Sequence, residues 1–247
     1  MPVKVITIDF WNTLFDSSAG TERNTYRRQS LVKEIKKLNA ELSEIEFNSA
    51  MEASWAFFND NWLNHSRTPE PSETVKFFMD FLHLDFTAEQ FDKVVWNFAE
   101  SVLVFPPKLI DGVPQALESL SSKFKLGLIS DTGFSPGTVL RELMKRTNIY
   151  QYFSAFSFSD ETKVSKPHPK AYLTVLNELE CNPEDAVHIG DIAQTDIKGA
   201  KNLSMRAIRF IGDQTSMVLK NTDIQIEADW EAESWHEIVK IINEITN

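Results

Sequence analysis

Residues 3–8, VKVITI, place Val3, Val5, Ile6, Thr7 and Ile8 in one short run broken only by Lys4. A continuous apolar or β-branched run of this length reads as a strand buried on both faces, as in the middle of a parallel sheet. Such a strand needs partners on both edges and helices over both faces, so the rest of the chain must supply βα units. The run ends in a carboxylate, Asp9. In open α/β sheets the ligand crevice lies outside the carboxyl ends of the strands. Asp9 is therefore either a working carboxylate or a simple strand terminator.

The second half of the chain supplies the βα units. After the break Phe105-Pro106-Pro107, the sequence predicts a helix over 113–120, with Pro114 tolerated in its first turn. A strand over 125–130 (KLGLIS), a helix over 136–146 and a strand over 153–158 follow. Next come a helix over 169–179 that begins on Pro169, a strand over 186–189, a helix over 195–202 and a strand over 206–211. Trp235, Ile238, Val239 and Ile242, at i, i+3, i+4 and i+7, mark a last helix. Alternation of this kind predicts a parallel, Rossmann-like sheet with helices on both faces.

Between the opening strand and that region the pattern is different. A polar turn, residues 16–21 (DSSAGT), leads into a helical stretch from about residue 22 to about residue 104 with no strand. Ser43 with Glu46, and Thr87 with Gln90, have capping-box spacing. The first opens a helix towards Trp62, and the second precedes Phe91, Val94, Val95 and Phe98 at helical period. TPEPSE, residues 68–73, breaks the stretch before a short helix over 74–82. Trp55, Phe57, Phe58, Trp62, Phe77, Phe78, Phe81, Phe86 and Trp96 read as the core of a small bundle rather than as an aromatic substrate box. The expected architecture is α/β: a parallel-sheet core from residues 1–15 and 106–247, with an inserted helical unit over 16–105.

With 247 residues the chain suits one large domain or two modest ones. A formal net charge of −11 and a pI near 5.0 repel nucleic acid and anionic lipid. A small anion held by a locally positive site remains open. No apolar run approaches the roughly 20 residues of a membrane span, and the N-terminus has no signal-peptide pattern. Cys181 is the single cysteine, so no internal disulfide forms, and a reducing cytoplasm is the expected compartment.

Three further polar signals fall at predicted strand ends. Ser130 closes KLGLIS, Lys166 stands in SKPHP between a strand and a helix, and Gly190-Asp191 opens a GDxxxxD pattern ending at Asp196. At roughly one-in-twenty usage per residue, that pattern arises by chance about 0.03 times in a chain this long. A nucleophilic carboxylate, a hydroxyl, an ammonium and a hard-cation site are the equipment for handling a phosphoryl group.

In this order the motifs resemble those of the haloacid dehalogenase superfamily of hydrolases, most of them phosphatases. They are Asp9-Phe10-Trp11-Asn12-Thr13-Leu14, Ser130-Asp131, Lys166-Pro167, and Gly190-Asp191 through Asp196. The helical insertion is similar to the C1-type cap, and PPKLIDGVPQALESL, residues 106–120, looks like the family's return from cap to core. The resemblance implies that Asp9 attacks phosphorus and forms an aspartyl-phosphate. It places Mg²⁺ on the Asp9 and Asp191 carboxylates and on the backbone carbonyl of Trp11. It gives Ser130, Lys166, Thr13 and the Asp131 backbone N–H phosphate-side roles, with Ser130 and Lys166 in the catalytic set. Asp196 orients Lys166 or a metal-bound water. Asn12 stands where the family usually has glycine, and asparagine tolerates positive φ. The implied substrate is a small phosphorylated molecule.

Trp11 departs from the pattern. Family phosphatases usually carry a second aspartate there, which protonates the leaving oxygen, a contribution worth about 10² to 10⁴ in rate. Indole has no such use near neutral pH. Four routes remain: a substrate with a good leaving group such as an acyl phosphate or a phenol, a proton from the cap (His65 or His83), a catalytically weak phosphate binder, or a dehalogenase. Family dehalogenases carry an aromatic residue at this position, but they need no metal and usually lack the Gly-Asp pair, which is intact here. Arg27 and Arg28 are candidates for a substrate carboxylate and otherwise read as solvated. His188 reads as a satisfied histidine near the site, and His168 as loop.

Overall fold

The computed structural model describes residues 3–38, 42–213 and 226–246. Among these, six strands form one wholly parallel sheet: β1 (Val5–Ile8), β2 (Lys125–Ser130), β3 (Phe153–Phe158), β4 (Ala186–Gly190), β5 (Arg206–Phe210) and β6 (Trp230–Ala232). Their order is β3-β2-β1-β4-β5-β6. The chain runs outward from β1 to β3 on one side and from β4 to β6 on the other. The direction of winding therefore reverses at β1, which opens a crevice beyond its carboxyl end. Every residue of β1 is buried, as its unbroken apolar run requires. Register brings Ile8 level with Leu128 of β2 and Ile189 of β4. Asp9 and the residues that follow β2 and β4 therefore emerge together.

Helices cover both faces. Along the chain they are α1 (Gly20–Ile35), α2 (Glu44–His65), α3 (Pro71–Phe81), α4 (Ala88–Val104), α5 (Val113–Ser121), α6 (Gly137–Arg146), α7 (Ser159–Thr162), α8 (Pro169–Glu178), α9 (Lys198–Asn202) and α10 (Trp235–Thr246). Leu117 of α5, Leu140 of α6 and Trp235 of α10 pack on one face with Ile6 and Ile8. Tyr172 and Val175 of α8 and Ala200 of α9 pack on the other with Val5. α8 lies so close to the sheet that a Cβ on Gly127 would sit 2.2 Å from Val175.

α1 to α4 gather around a separate apolar cluster that includes Leu31, Phe47, Val75, Phe78, Val94 and Phe98. Two neighbouring segments join this block to the sheet. The Asp16 N–H donates to the Lys108 carbonyl at 2.9 Å, and the Lys108 N–H donates to Asp16 Oδ1 at 3.0 Å. Arg23 donates from one Nη1 to the carbonyls of Ser18 and Phe105, at 2.9 and 3.0 Å, and so clasps both crossings.

Both capping boxes form as the spacing predicts, at Ser43–Glu46 and Thr87–Gln90. Several local expectations do not hold. α3 begins at Pro71 rather than residue 74, because proline fits the first turn and Glu70 with Glu73 makes a third capping box. Residues 195–202 are not one helix: a single π-type turn, Ala193–Ile197, precedes α9. α7 and β6 are four and three residues long, too short to show a period. The aromatic residues divide by position. Phe78 and Phe86 are core, whereas Trp96 and Phe81 are 63% and 48% exposed. Arg27 is not solvated but 8% exposed, lying over the Phe134 ring at 4.6 Å. His168 caps α8, accepting the Lys170 N–H on Nδ1.

Candidate active site

The loop after β1 turns back at once. Leu14 and Phe15 donate to the Phe10 carbonyl, and Asn12 adopts a left-handed φ of 56°. Asparagine accepts that conformation at low cost. The turn holds Asp9 at the strand end, 4% exposed. Lys166, itself 2% exposed, donates from Nζ to Asp9 Oδ1 and, at 2.7 Å, to Asp196 Oδ1.

Asp196 is the most heavily bonded carboxylate of the group. Oδ1 also bonds His188 Nε2 at 3.0 Å, and Oδ2 accepts the Ile192 N–H and the Thr195 hydroxyl, each at 3.1 Å. The π-type turn sets this geometry by directing the Asp196 side chain back over Gly190. A Cβ on Gly190 would lie 2.4 Å from Asp196 Cγ, so a side chain there would displace the carboxylate. Behind it, His188 Nδ1 bonds the Thr7 hydroxyl at 2.9 Å, which makes His188 a buried, satisfied residue.

Burial and crowding set the electrostatics. Burial, with Asp196 and Asp131 nearby, pushes the Asp9 carboxyl up to about 7 against the pull of Lys166. Burial, Asp9 and Asp196 push Asp191 well above the usual carboxylate range. Burial works against the Asp196 anion as well, but Lys166 and His188 outweigh it and hold its carboxyl below the ordinary value. Burial also opposes the Lys166 ammonium, yet Asp196, Asp9 and Asp131 together push its pKa well up.

These groups open into a cavity of about 210 Å³. Asp9, Asn12, Asp131, Lys166, Asp191 and Asp196 form its polar end, and Trp11, Phe58 and Trp62 form an aromatic wall. Phe58 and Trp62 come from α2. Trp62 Nε1 donates to Asp131 Oδ2 at 2.9 Å, while Asp131 Oδ1 accepts the Lys166 N–H at 3.0 Å. Farther along, the Ser165 N–H donates to the Ser66 carbonyl at 2.7 Å. The helical block thus sits closed on the sheet.

Asp9, Asp131, Lys166, Asp191, Asp196 and Trp11 all line this one cavity. Ser130 and Thr13 do not line it. Both are fully buried, and neither hydroxyl has a hydrogen-bond partner. His65 and His83 are exposed and lie outside the cavity wall. Sequence alone assigns Phe58 and Trp62 to the bundle core, because their facing depends on where α2 docks. No local signal distinguishes them from Phe57 or Phe77.

The cluster suits a divalent cation. Oxygens of Asp9, Asp191 and Asp196 lie within 4.8 Å of one another, and all are hard donors. Asp191 Oδ2 is buried without a hydrogen-bond partner, whereas Asp196 is already committed to four donors. One ammonium faces four carboxyl groups in the cavity, and burial and mutual repulsion push Asp9 and Asp191 towards their protonated forms, a cost that a bound cation would relieve.

A profile of haloacid dehalogenase-like hydrolases matches residues 3–203. The glyceraldehyde 3-phosphate phosphatase of Methanopyrus kandleri is 28% identical over 138 residues, which are 55% of this chain and 56% of that protein. The phosphorylated carbohydrates phosphatase of Thermotoga maritima is 31% identical over 137 residues, 55% of this chain and 62% of that protein. The match thus spans little more than half the length of either relative. Among solved structures, a 2-haloacid dehalogenase from Pseudomonas syringae pv. Tomato DC3000 shares the fold at a TM-score of 0.73 and 20% identity, covering 98% of this chain and 99% of that one. With the profile match extending from β1 through β4 and its acidic turn, the chain belongs to the haloacid dehalogenase-like hydrolases.

Proposed function

We propose that this protein is a Mg²⁺-dependent phosphatase that hydrolyses a small phosphorylated molecule through an aspartyl-phosphate on Asp9. The observation that carries the reading is the pairing of buried Lys166 with Asp9 and Asp196 beside an unpartnered Asp191 oxygen at the end of one cavity. Asp9 and Asp191, with the Trp11 carbonyl, would hold the ion, which supplies charge neutralisation on the phosphoryl oxygens. Asp9 attacks phosphorus, and water then hydrolyses the acyl phosphate and restores the carboxylate. Lys166 stabilises the negative charge that develops on the phosphoryl group. Asp196 keeps that ammonium in place. The family resemblance also assigns the unpartnered hydroxyls of Ser130 and Thr13, which lie behind the cavity wall, to the phosphate side, with the Asp131 backbone N–H.

Residues 16–105 act as a cap that excludes water and presents Phe58, Trp62 and Thr68 to the leaving group. Four carboxylates against one lysine favour phosphate with a metal over a metal-free haloacid, whose carboxylate they would repel. A single cysteine suits a reducing cytoplasm. Among the described residues no helix is long and apolar enough to cross a membrane.

Phosphate release from p-nitrophenyl phosphate, with and without Mg²⁺, tests the reading. Release that requires Mg²⁺ and disappears in Asp9→Asn is the expected result. Release unaffected by either change overturns it.

A further inference from the structure

Apart from carboxyls already assigned to the metal, to Lys166 or to Trp62, the cavity contains no group suited to protonating a leaving oxygen. Trp11, where the family resemblance leads one to expect an aspartate, lines the cavity instead. Among the described lining residues there is no histidine, tyrosine or cysteine. Asp131 accepts an N–H on each of its oxygens, from Lys166 and from Trp62; burial raises its carboxyl, while these two bonds and the Lys166 charge favour its anion. Lys166 is engaged by two carboxylates. The Thr68 hydroxyl bonds Ser159, and the Thr195 hydroxyl bonds Asp196.

The space that a leaving group would occupy is instead walled by rings. Trp11, Phe58 and Trp62 face it, with the Phe58 and Trp62 centroids 6.5 Å apart. Asp131 fixes the Trp62 indole through Nε1, so the wall is set before a ligand arrives. Fixed aromatic faces favour a flat aromatic partner.

We infer that the substrate is an aryl phosphate, a phosphate monoester whose leaving group is an aromatic hydroxyl that departs as its oxyanion. The inference rests on the phosphatase reading above. An Asp9 oxygen forms the new bond to phosphorus while the bond from phosphorus to the aryl oxygen breaks. The bonding pair leaves on that oxygen as a phenolate, which takes its proton from solvent after release. Water then attacks phosphorus, inorganic phosphate departs, and the Asp9 carboxylate returns. A phenol has a pKa of about 10, whereas an alkyl alcohol lies near water, at roughly 15–16. Of these two the phenol alone leaves readily without an acid, and the aromatic wall favours it over an acyl phosphate, whose leaving group need carry no ring.

Two comparisons on the Mg²⁺-loaded full chain separate the leaving group from the ring. Phenyl phosphate and 2-phenylethyl phosphate both carry the ring and differ in leaving group. kcat/KM for phenyl phosphate should exceed that for the phenylethyl ester by at least about 100-fold, the low end of what an acid supplies. The ratio should collapse at least tenfold in Trp11→Asp and stay at or above about 100-fold in Trp11→Phe, which also lacks an acid, whatever that change does to the absolute rates. In Asp9→Asn, tryptophan fluorescence should report phenylphosphonate binding about tenfold tighter than methylphosphonate. A ratio below tenfold in the parent enzyme, or equal binding of the two phosphonates, overturns the inference and leaves the phosphatase reading standing. Failure of every phosphate ester to turn over removes both.

Discussion

Asp196→Asn is the substitution whose cost follows most directly from the geometry. The change keeps volume but removes a charge and converts one acceptor into a donor. If the amide oxygen keeps the Oδ1 place, Lys166 and His188 retain a partner, and the new NH₂ meets the Ile192 N–H. That buried N–H then goes unsatisfied, at about 1–3 kcal/mol. The opposite flip points two donors at the Lys166 ammonium, which is worse. Loss of the Asp196 charge also weakens a buried ion pair, which costs about 3–5 kcal/mol when one partner is removed. Lys166 still has Asp9, and relief of repulsion among the three carboxylates offsets part of the loss, so the expected total is about 3–5 kcal/mol. For a chain of this size that is a fall of roughly 6–20 °C in Tm. The assay is thermal unfolding of parent and variant with saturating Mg²⁺, where Asp9 and Asp191 are neutralised and the offset is smallest. The Asp196 carboxyl is depressed below its usual 3.8, so its contribution is present above that value and is lost only as pH falls further. The difference in Tm should therefore be constant from pH 6 to 8. A fall of less than about 3 °C, or a difference that grows towards pH 8, would refute the reasoning.

Two other perturbations follow from buried charge. The Asp9 carboxyl is raised to about 7, so the stability tied to its proton is lost as pH rises through that value, and a cation must displace the same proton. Mg²⁺ should then bind at least about 30-fold more weakly at pH 5.5 than at pH 8, the factor due to Asp9 alone, to which the raised Asp191 adds, read as the Mg²⁺ concentration needed for a given Tm shift; affinity independent of pH contradicts this. Arg27 is buried, held to about 9 by burial and by Arg23, and bonded only to Asn24 Oδ1 at 3.0 Å, with no carboxylate partner among the described residues. Arg27→Met should leave the urea midpoint unchanged or raise it, because no ion pair is broken. A loss above about 2 kcal/mol would mean that the contact with Phe134 contributes more than a buried, unpaired cation costs.

Much of the fold is legible because five of the six strands announce themselves. β1 is a run of apolar and β-branched residues, β4 is apolar but for His188, and Pro114 and Pro169 mark helix starts that a propagating helix would not tolerate elsewhere. β6 is illegible for a physical reason: Trp230–Ala232 is held by pairing with β5, and three residues carry no period of their own. The π-type turn is equally hidden. It differs from a helical turn by one residue of slack, and that slack is what brings the Asp196 carboxylate over Gly190. The GDxxxxD spacing therefore reports a contact between its own ends that no helical reading would place there.

The candidate site divides along the same line. Asp9 and Asp191 are legible because parallel strands end in register, so residues that follow β1 and β4 must meet wherever the helices lie, whereas Lys166 and Asp196 are legible from the SKPHP and GDxxxxD motifs. Phe58 and Trp62 are not, since they reach the cavity only through the docking of α2, which depends on contacts spread over the whole block. The same split separates chemistry from choice of substrate. Asp9 and Lys166 are tied to the sheet, whereas α2 can change its exposed faces without disturbing any strand. Trp11 is where the two meet. Its backbone belongs to the loop that holds Asp9, and its ring belongs to the wall that α2 completes. An aspartate at residue 11 would have made the site indifferent to its leaving group. A tryptophan there transfers that discrimination to the substrate, and the ring of Trp62, fixed by Asp131, supplies the face on which such a substrate would lie.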